Sequence, residues 1–149
     1  MNDTNLPTYS FKIKSEGEKR FVFDEFRKKY VAVTPEEWVR QTICRYLNKE
    51  YGYPKGLMVL EAGLKVNGMQ RRFDVLVYDL NKAPFLIIEC KAPSVKIIQK
   101  TFEQAAAYNF EVRAQYLMVT NGSTQYLCEM DYQNNSYKFL DYIPEFPAI

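Results

Sequence analysis

Residues 85–91 have the sequence Phe85-Leu86-Ile87-Ile88-Glu89-Cys90-Lys91, in which an apolar run leads directly into a Glu-x-Lys triplet. Such a run predicts a strand that is buried on both faces in the middle of a covered sheet. Side chains alternate along a strand, so Glu89 and Lys91 share one face and Cys90 points to the other. The stretch therefore predicts two charged groups at the end of a core strand.

Two further strands precede this one. Residues 57–66 and 69–80 flank Asn67-Gly68, which is a strong signal for a tight hairpin turn. The next turn lies at residues 81–84, and a hairpin centred near Lys82 places Asp74 opposite residues 89–91. The pattern therefore predicts that Asp74, Glu89 and Lys91 converge at one end of the sheet.

Carboxylates beside an apolar core need a cation or hydrogen bonds. Asp74 and Glu89 offer the hard oxygen ligands that Mg²⁺ prefers, and the backbone carbonyl of Cys90 can add another, with waters completing the octahedron. Mn²⁺ is a possible substitute. Lys91 would then orient or activate an attacking water and stabilise charge developing on a phosphate. The same three side chains would also suit an ordinary cross-strand salt bridge, so both interpretations stay open at this point.

Two helices are predicted. The first begins after a Thr34 cap, with Pro35 at its first position and acidic residues in its first turn, and it ends near Glu50. The second is opened by Pro93 and Ser94 and runs to roughly Val112. Its inner stripe is expected to comprise Ile97, Ile98, Phe102, Ala105 and Ala106.

The remaining segments predict strands and turns around these elements. Residues 1–10 suggest an extended arm, and residues 11–30 suggest strand and turn pieces. A short buried strand is expected at 115–120, and residues 124–130 with 137–143 predict a closing hairpin. The order of elements from Thr34 is summarised as α-β-β-β-α-β-β, in one α/β domain with a central mixed sheet.

Composition narrows the possible functions. The 149 residues include no histidine, which excludes imidazole-based triads, histidine-ligated zinc and every mechanism that needs an imidazole base. The net charge of +2 means that any phosphate-binding surface must be local. Cys44, Cys90 and Cys128 lack CxxC spacing and are predicted to be reduced core thiols. Neither a signal peptide nor a membrane helix is indicated, so a cytoplasmic location is expected.

The segments Phe73-Asp74 and Ile87-Ile88-Glu89-Cys90-Lys91-Ala92-Pro93 resemble the PD-(D/E)xK nuclease superfamily. The similarity is greatest to the N-terminal nuclease domain of type I restriction enzyme R subunits, and it extends over about residues 34–130. The resemblance implies a restriction-endonuclease-like fold and magnesium-dependent cleavage of DNA. On this basis residues 34–149 form the nuclease-like domain, and residues 1–33 are an arm with short elements packed on it, in a single domain overall.

The resemblance also implies roles for individual residues. Asp74 and Glu89 resemble the metal ligands of the superfamily, and Lys91 resembles its catalytic lysine. An acidic residue on the first helix often completes such a site, and Glu37 is chosen here over Glu36, although the sequence cannot fix which of the two faces the sheet. Two further residues, Gln104 and Tyr108, match a Gln-x-x-x-Tyr motif and are expected to position DNA or brace the lysine. The proline that usually precedes the aspartate in this superfamily is replaced by Phe73. The change removes no metal ligand, because proline supplies none.

Several alternatives accompany this hypothesis. Arg71 and Arg72 suit a solvated strand edge and receive no specific role, and Lys96 and Lys100 suit surface lysines. A catalytically inactive nuclease-fold module for binding DNA or protein is the alternative function, and a nuclease acting on RNA or single strands is a third. No helicase-type module follows, so a translocase or specificity subunit is expected from another chain, and one site per chain favours a homodimer or two successive nicks.

Overall fold

The computed structural model describes residues 6–147, and the fold is built on a six-stranded mixed sheet. Its strands lie in the order β4-β5-β6-β7-β8-β9, and only β6 and β7 run parallel. Their bounds are β4 Met58–Val66, β5 Met69–Tyr78, β6 Pro84–Cys90, β7 Tyr116–Thr120, β8 Gln125–Asp131 and β9 Ser136–Leu140. The apolar run of residues 85–88 thus forms a central strand of the sheet, as predicted.

The first helix, α1 (Pro35–Tyr51), covers one face of this sheet. Thr34 caps it, because its side-chain oxygen accepts the amide of Glu37 at 3.0 Å. Gly52, at φ 68°, ends the helix in the left-handed conformation that glycine adopts without strain. Val39, Ile43 and Leu47 are buried at helical spacing against the sheet, which confirms the predicted helix and both of its ends.

The second helix, α2 (Gln99–Val112), covers the opposite face and connects β6 to β7. It starts later than predicted: residues 91–98 are not helical, and Asn121 binds the carbonyl of Val95 through its side-chain nitrogen at 2.9 Å, holding this segment as a turn. The expected inner stripe is therefore partly wrong. Phe102, Ala105 and Ala106 are buried, but Ile98 precedes the helix and is 53% exposed.

The segment before α1 forms a separate antiparallel sheet of three short strands, β1 (Ile13–Glu16), β2 (Lys19–Asp24) and β3 (Lys29–Ala32). This agrees with the strand and turn pieces expected there, and residues 6–10 have no regular structure, as expected of an arm. Residues 1–5 of that predicted arm lie outside the described residues. The summary order α-β-β-β-α-β-β omits one strand, because three strands, not two, follow α2.

The three cysteines are buried and free, as predicted. Burial raises the pKa of Cys128 to about 12, so this thiol stays protonated at neutral pH. In the described part of the chain, no helix is long and apolar enough to cross a membrane.

Candidate active site

Asp74 lies where β5 stops pairing regularly with β6. The last regular pair on this side joins Val75 to Ile88, which brings Asp74 level with Glu89. The Oδ2 atom of Asp74 accepts a hydrogen bond from the backbone amide of Cys90 at 2.7 Å. The Asp74 carboxylate thus accepts a hydrogen bond that a backbone carbonyl group accepts in regular strand pairing. This bond fixes the orientation of the carboxylate. The predicted approach of position 74 to positions 89–91 is confirmed.

A local irregularity in β4 accompanies this break. Leu60 and Val75 pack in the core on the α1 side, whereas the next paired residues, Ala62 and Phe73, pack on the α2 side. Regular alternation would keep residues 60 and 62 on one face. Glu61 between them has φ 52°, a left-handed conformation, while the pairing register of β4 and β5 is the same on both sides of it. The regular alternation of side chains along β4 and β5 is therefore interrupted at the level of Glu61 and Asp74.

Glu89 and Lys91 lie on the α2 side of the sheet, and Cys90 is buried in the core on the α1 side. This is the alternation predicted from the sequence. The backbone amide of Lys91 donates to the carbonyl of Thr120 at 2.8 Å, which extends the parallel pairing of β6 and β7 by one residue. A cavity of about 90 Å³ lies beside the two side chains, and residues of α2 form its other side. Lys91 is thereby anchored by its backbone beside Glu89.

The carboxyl group of Glu89 is in an unfavourable environment when charged. Burial raises the pKa of Glu89 to about 8, and the negative charge of Asp74 and a hydrogen bond with Asp74 act in the same direction. Lys91 opposes this shift without cancelling it. Two carboxyl groups therefore lie together at the strand end with too little positive charge around Glu89 to keep both ionised.

Arg40 belongs to the candidate site, although the sequence analysis gave it no role. It is buried on α1, and its Nη2 atom lies 3.0 Å from Oδ1 of Asp74, while Nη1 lies 2.7 Å from Oε1 of Glu37. Burial opposes the charge, but Glu37 and Asp74 outweigh it and raise the pKa of Arg40 above its ordinary value. The sequence indicated only its contacts with Glu36 and Glu37, because residues three and four apart on a helix are neighbours, whereas its contact with Asp74 depends on how α1 packs.

Glu37, and not Glu36, faces the interior. Glu37 is 6% exposed, whereas the side chain of Glu36 is 47% exposed and pairs with Arg40 at the surface. Both oxygens of Glu37 are engaged: Oε1 accepts from Arg40 and from Arg27 at 2.8 Å, and Oε2 accepts from Gln41 at 3.1 Å. The structure therefore connects Glu37 to Asp74 through Arg40, not by direct convergence on one point.

Arg27, in the turn between β2 and β3, extends this network. Besides Glu37 it binds Glu61 at 3.0 Å and Asp24, so one guanidinium connects the small sheet, α1 and the irregular point of β4. Asp24 itself is fully buried. A buried carboxylate of this kind is tolerated because it is paired and hydrogen-bonded.

The donor atoms at this strand end decide whether a metal ion fits. Within residues 6–147 no group of three or more acidic or cysteine side chains is arranged to hold a metal ion. Asp74 and Glu89 form a pair, and a divalent cation would favour the ionised form of Glu89, which burial and the charge of Asp74 disfavour. Two carboxylates, a backbone carbonyl and waters are a usual ligand set for Mg²⁺, so the pair fits this ion without Glu37.

Gln104 and Tyr108 lie on α2 and line the same cavity as Glu89 and Lys91. Both are exposed on their outer side. Tyr108 also borders a second, open groove that is lined by Arg71 and Glu89. The structure thus brings Gln104 and Tyr108 to Lys91 and Glu89, and it adds Arg71, which the sequence analysis had left without a role.

The fold and the site together define an α/β protein with paired carboxylates and a lysine at the end of a central hairpin. Residues 35–144 match the family described as type I restriction enzyme R protein N terminus (HSDR_N), and the chain belongs to this family. This confirms the resemblance to R subunit N-terminal regions that the segments around Asp74 and Glu89 predicted.

One solved structure is similar to the chain. It is a fragment described as an HsdR subunit of a type I restriction enzyme from Vibrio vulnificus YJ016, with 21% sequence identity and a TM-score of 0.49. The match covers 71% of this chain and 23% of that chain, so the chain spans less than a quarter of the length of that structure. No curated protein matches the chain.

Proposed function

We propose that the chain is a metal-dependent DNA endonuclease domain with a restriction-endonuclease-like, PD-(D/E)xK fold. The observation that carries this proposal is the paired carboxyl groups of Asp74 and Glu89 beside Lys91, with the pKa of Glu89 raised to about 8. Perturbed carboxyl groups of this kind, beside a lysine in a cleft, are typical of catalytic sites. Membership of the type I restriction R protein family supports DNA as the substrate.

Asp74, Glu89 and the backbone carbonyl of Cys90 would hold Mg²⁺, or Mn²⁺ in its place. When bound, this ion supplies Lewis acidity and lowers the pKa of a water ligand. Asp74 is oriented for the task by the amide of Cys90, and Arg40 fixes its other oxygen. Each carboxylate oxygen has two lone pairs, so these hydrogen bonds leave capacity for a ligand.

Lys91 has two tasks in this proposal. Its ammonium group orients the water that attacks the phosphodiester, and it stabilises negative charge that develops on the phosphate oxygens. Its backbone is fixed by Thr120, so the side chain extends from a rigid strand end. Gln104 and Tyr108, which line the same cavity, restrict the positions that the ammonium group can reach. Glu37 acts indirectly, because it holds Arg40 against Asp74.

Supercoiled-plasmid nicking tests this function. The purified chain is assayed with Mg²⁺, with Mn²⁺ and with chelator, beside Lys91→Ala and the matched surface variant Lys138→Ala, all prepared identically. We expect metal-dependent nicking by the wild type and by Lys138→Ala, and a loss of at least about a hundredfold in Lys91→Ala. Nicking that persists in Lys91→Ala would contradict the role of Lys91.

A second candidate is a non-catalytic nuclease-fold module that binds DNA or protein. The specific observation in its favour is that Arg27 and Arg40 both pair with Glu37 and that Arg40 also pairs with Asp74, so these two carboxylates already have cationic partners. If the folded wild type neither nicks DNA nor binds Mn²⁺ in calorimetry, this module is the better description. If it binds Mn²⁺ without nicking, a partner chain that supplies target recognition or translocation is required.

A further inference from the structure

An open groove of about 230 Å³ runs beside the candidate active site on the α2 side of the sheet. Arg71 and Phe73 of β5 form one part of it, Glu89 of β6 another, and Tyr108 of α2 its wall. Tyr108 and Glu89 also line the cavity that contains Lys91. The groove therefore adjoins the proposed catalytic cavity, and its lining also includes Gln70 and Arg72.

The guanidinium group of Arg71 is held in place at the edge of this groove. It lies 5.0 Å from the ring centroid of Tyr108, a cation–π distance, and its Nε atom lies 3.6 Å from Oε2 of Glu111. Both partners belong to α2, one turn apart, so β5 and α2 together set the position of the guanidinium. A side chain that is already restrained loses less conformational entropy when it binds a ligand.

The hydrogen-bond donors of Arg71 are poorly used in this position. A separation of 3.6 Å to Glu111 is too long for a hydrogen bond, and in the described part of the chain the buried Nε has no hydrogen-bond partner. The Nη2 atom contacts the sulfur of Met69 at 3.9 Å, and a thioether is a weak acceptor. An arginine that served only to join β5 to α2 would be expected to place its donors on Glu111.

We propose that Arg71, seated on Tyr108, binds a backbone phosphate of DNA and so directs the strand along the groove towards Glu89 and Lys91. The inference rests on the proposed nuclease function. A planar guanidinium presents paired N–H donors that match two phosphate oxygens, and such charge-assisted bonds are stronger than neutral ones. The exposed Arg72 adds positive charge at the same edge. Arg71 is a positioning residue, since the groove separates it from the lysine.

The experiment compares Arg71→Ala with Arg113→Ala. Arg113 makes the same kind of contact, with its guanidinium 4.7 Å from the ring of Tyr132, but it does not line the groove, so it controls for loss of an arginine–tyrosine pair and of one charge. Binding of a fluorescein-labelled DNA duplex by the full chain is followed by anisotropy over a range of salt concentrations. Calcium replaces magnesium so that the duplex stays intact.

We expect Arg71→Ala to weaken binding by about tenfold and to reduce the slope of log affinity against log salt by about one, as for one lost phosphate contact. Arg113→Ala should stay within about twofold of the wild type. Arg71→Lys, which keeps the charge and the fold, should restore the slope but not the full affinity. Equal binding by Arg71→Ala and wild type, or no DNA binding by the wild type, would overturn the inference.

The plasmid assay separates this failure from failure of the proposed function. Lys91-dependent nicking together with normal binding by Arg71→Ala would leave the nuclease intact and remove only the phosphate contact. Conversely, absence of nicking together with weakened binding by Arg71→Ala would keep Arg71 as a DNA contact on a chain that is not a nuclease by itself. The two results are therefore distinguishable from one preparation of each variant.

Discussion

The Nη2 atom of Arg40 lies 3.0 Å from Oδ1 of Asp74, and this contact joins α1 to the strand that carries the candidate site. The same guanidinium binds Glu37 and Glu36, so it is surrounded by three carboxylates. Arg40 is buried, and its charge would be costly there without these partners. The three carboxylates and the guanidinium group of Arg40 therefore stabilise each other. Arg40 does not fully neutralise the pair formed by Asp74 and Glu89.

Replacement of Arg40 should destabilise the fold strongly. In Arg40→Ala the buried Glu37 loses one partner and Asp74 loses the cation that pairs with its Oδ1, and removal of one member of a buried pair costs about 3–5 kcal/mol. Urea denaturation measures the free energy of unfolding. Glu36→Gln is the matched control, because it removes only the exposed partner of Arg40 and should change stability by less than about 1 kcal/mol. Equal losses in both variants would contradict this account.

The chain should become less stable as pH rises when metal is removed. The pKa of Glu89 is about 8 in the fold and near the ordinary 4.5 in the unfolded chain, so the folded state binds this proton more tightly. The stabilisation is complete below about pH 4.5 and is lost as pH rises through about 8. Thermal unfolding in chelator from pH 5 to pH 9 measures the effect. The stability of Glu89→Gln should depend less on pH than that of the wild type. An unchanged pH dependence of stability would contradict the assignment of the effect to Glu89.

Asp74→Asn should lose affinity for Mn²⁺ by more than about tenfold, because even second-shell changes around metal ligands cost about ten- to a hundredfold. The substitution removes a charged ligand but keeps an oxygen that can accept from the amide of Cys90. Isothermal titration calorimetry measures the affinity. Glu61→Gln, on the neighbouring strand, is the control for loss of one nearby negative charge and should bind as the wild type does. Equal loss in both variants would show a nonspecific charge effect.

The start of α1 offers a test of the local structure. In Thr34→Ala the amide of Glu37 loses its cap, and such a loss costs about 1 kcal/mol. Thr42→Ala is the matched control in the same helix, because the hydroxyl of Thr42 only bonds back to the carbonyl of Trp38. Chemical denaturation should therefore show a clear loss for Thr34→Ala and none beyond about 0.5 kcal/mol for Thr42→Ala. The opposite ranking would mean that Thr34 does not cap the helix.

Sequence patterns anticipated the central part of the fold because the decisive signals there are local. The turn residues Asn67 and Gly68 both have positive φ, as the tight hairpin between β4 and β5 requires. The apolar run of residues 85–88 could only be buried on both faces. By contrast, the start of α2 depends on Asn121, a residue 26 positions away from its bonded partner Val95. No local pattern near Pro93 could have revealed it.

The candidate site also has one part that was predicted from local patterns and one part that was not. Alternation along β6 placed Glu89 and Lys91 on one face from the sequence alone, and the hairpin placed Asp74 level with Glu89. The roles of Arg27, Arg40 and Arg71 were not predicted, because each depends on which helix or turn faces the strand end. Each of these arginines has a partner more than 30 residues away in the chain.

The sequence by itself determined the order of strands and helices from Thr34 to Asp131, the two ends of α1, the turn between β4 and β5, and the membership of Asp74, Glu89 and Lys91 in one cluster. These features follow from periodicity and turn chemistry over short separations. Only the tertiary structure decided which cations meet the acidic residues, which of Glu36 and Glu37 faces inward, and that Arg71 rests on Tyr108 beside the site. The reason is physical: pairing between distant side chains depends on helix rotation and on packing, and neither is encoded in a local pattern.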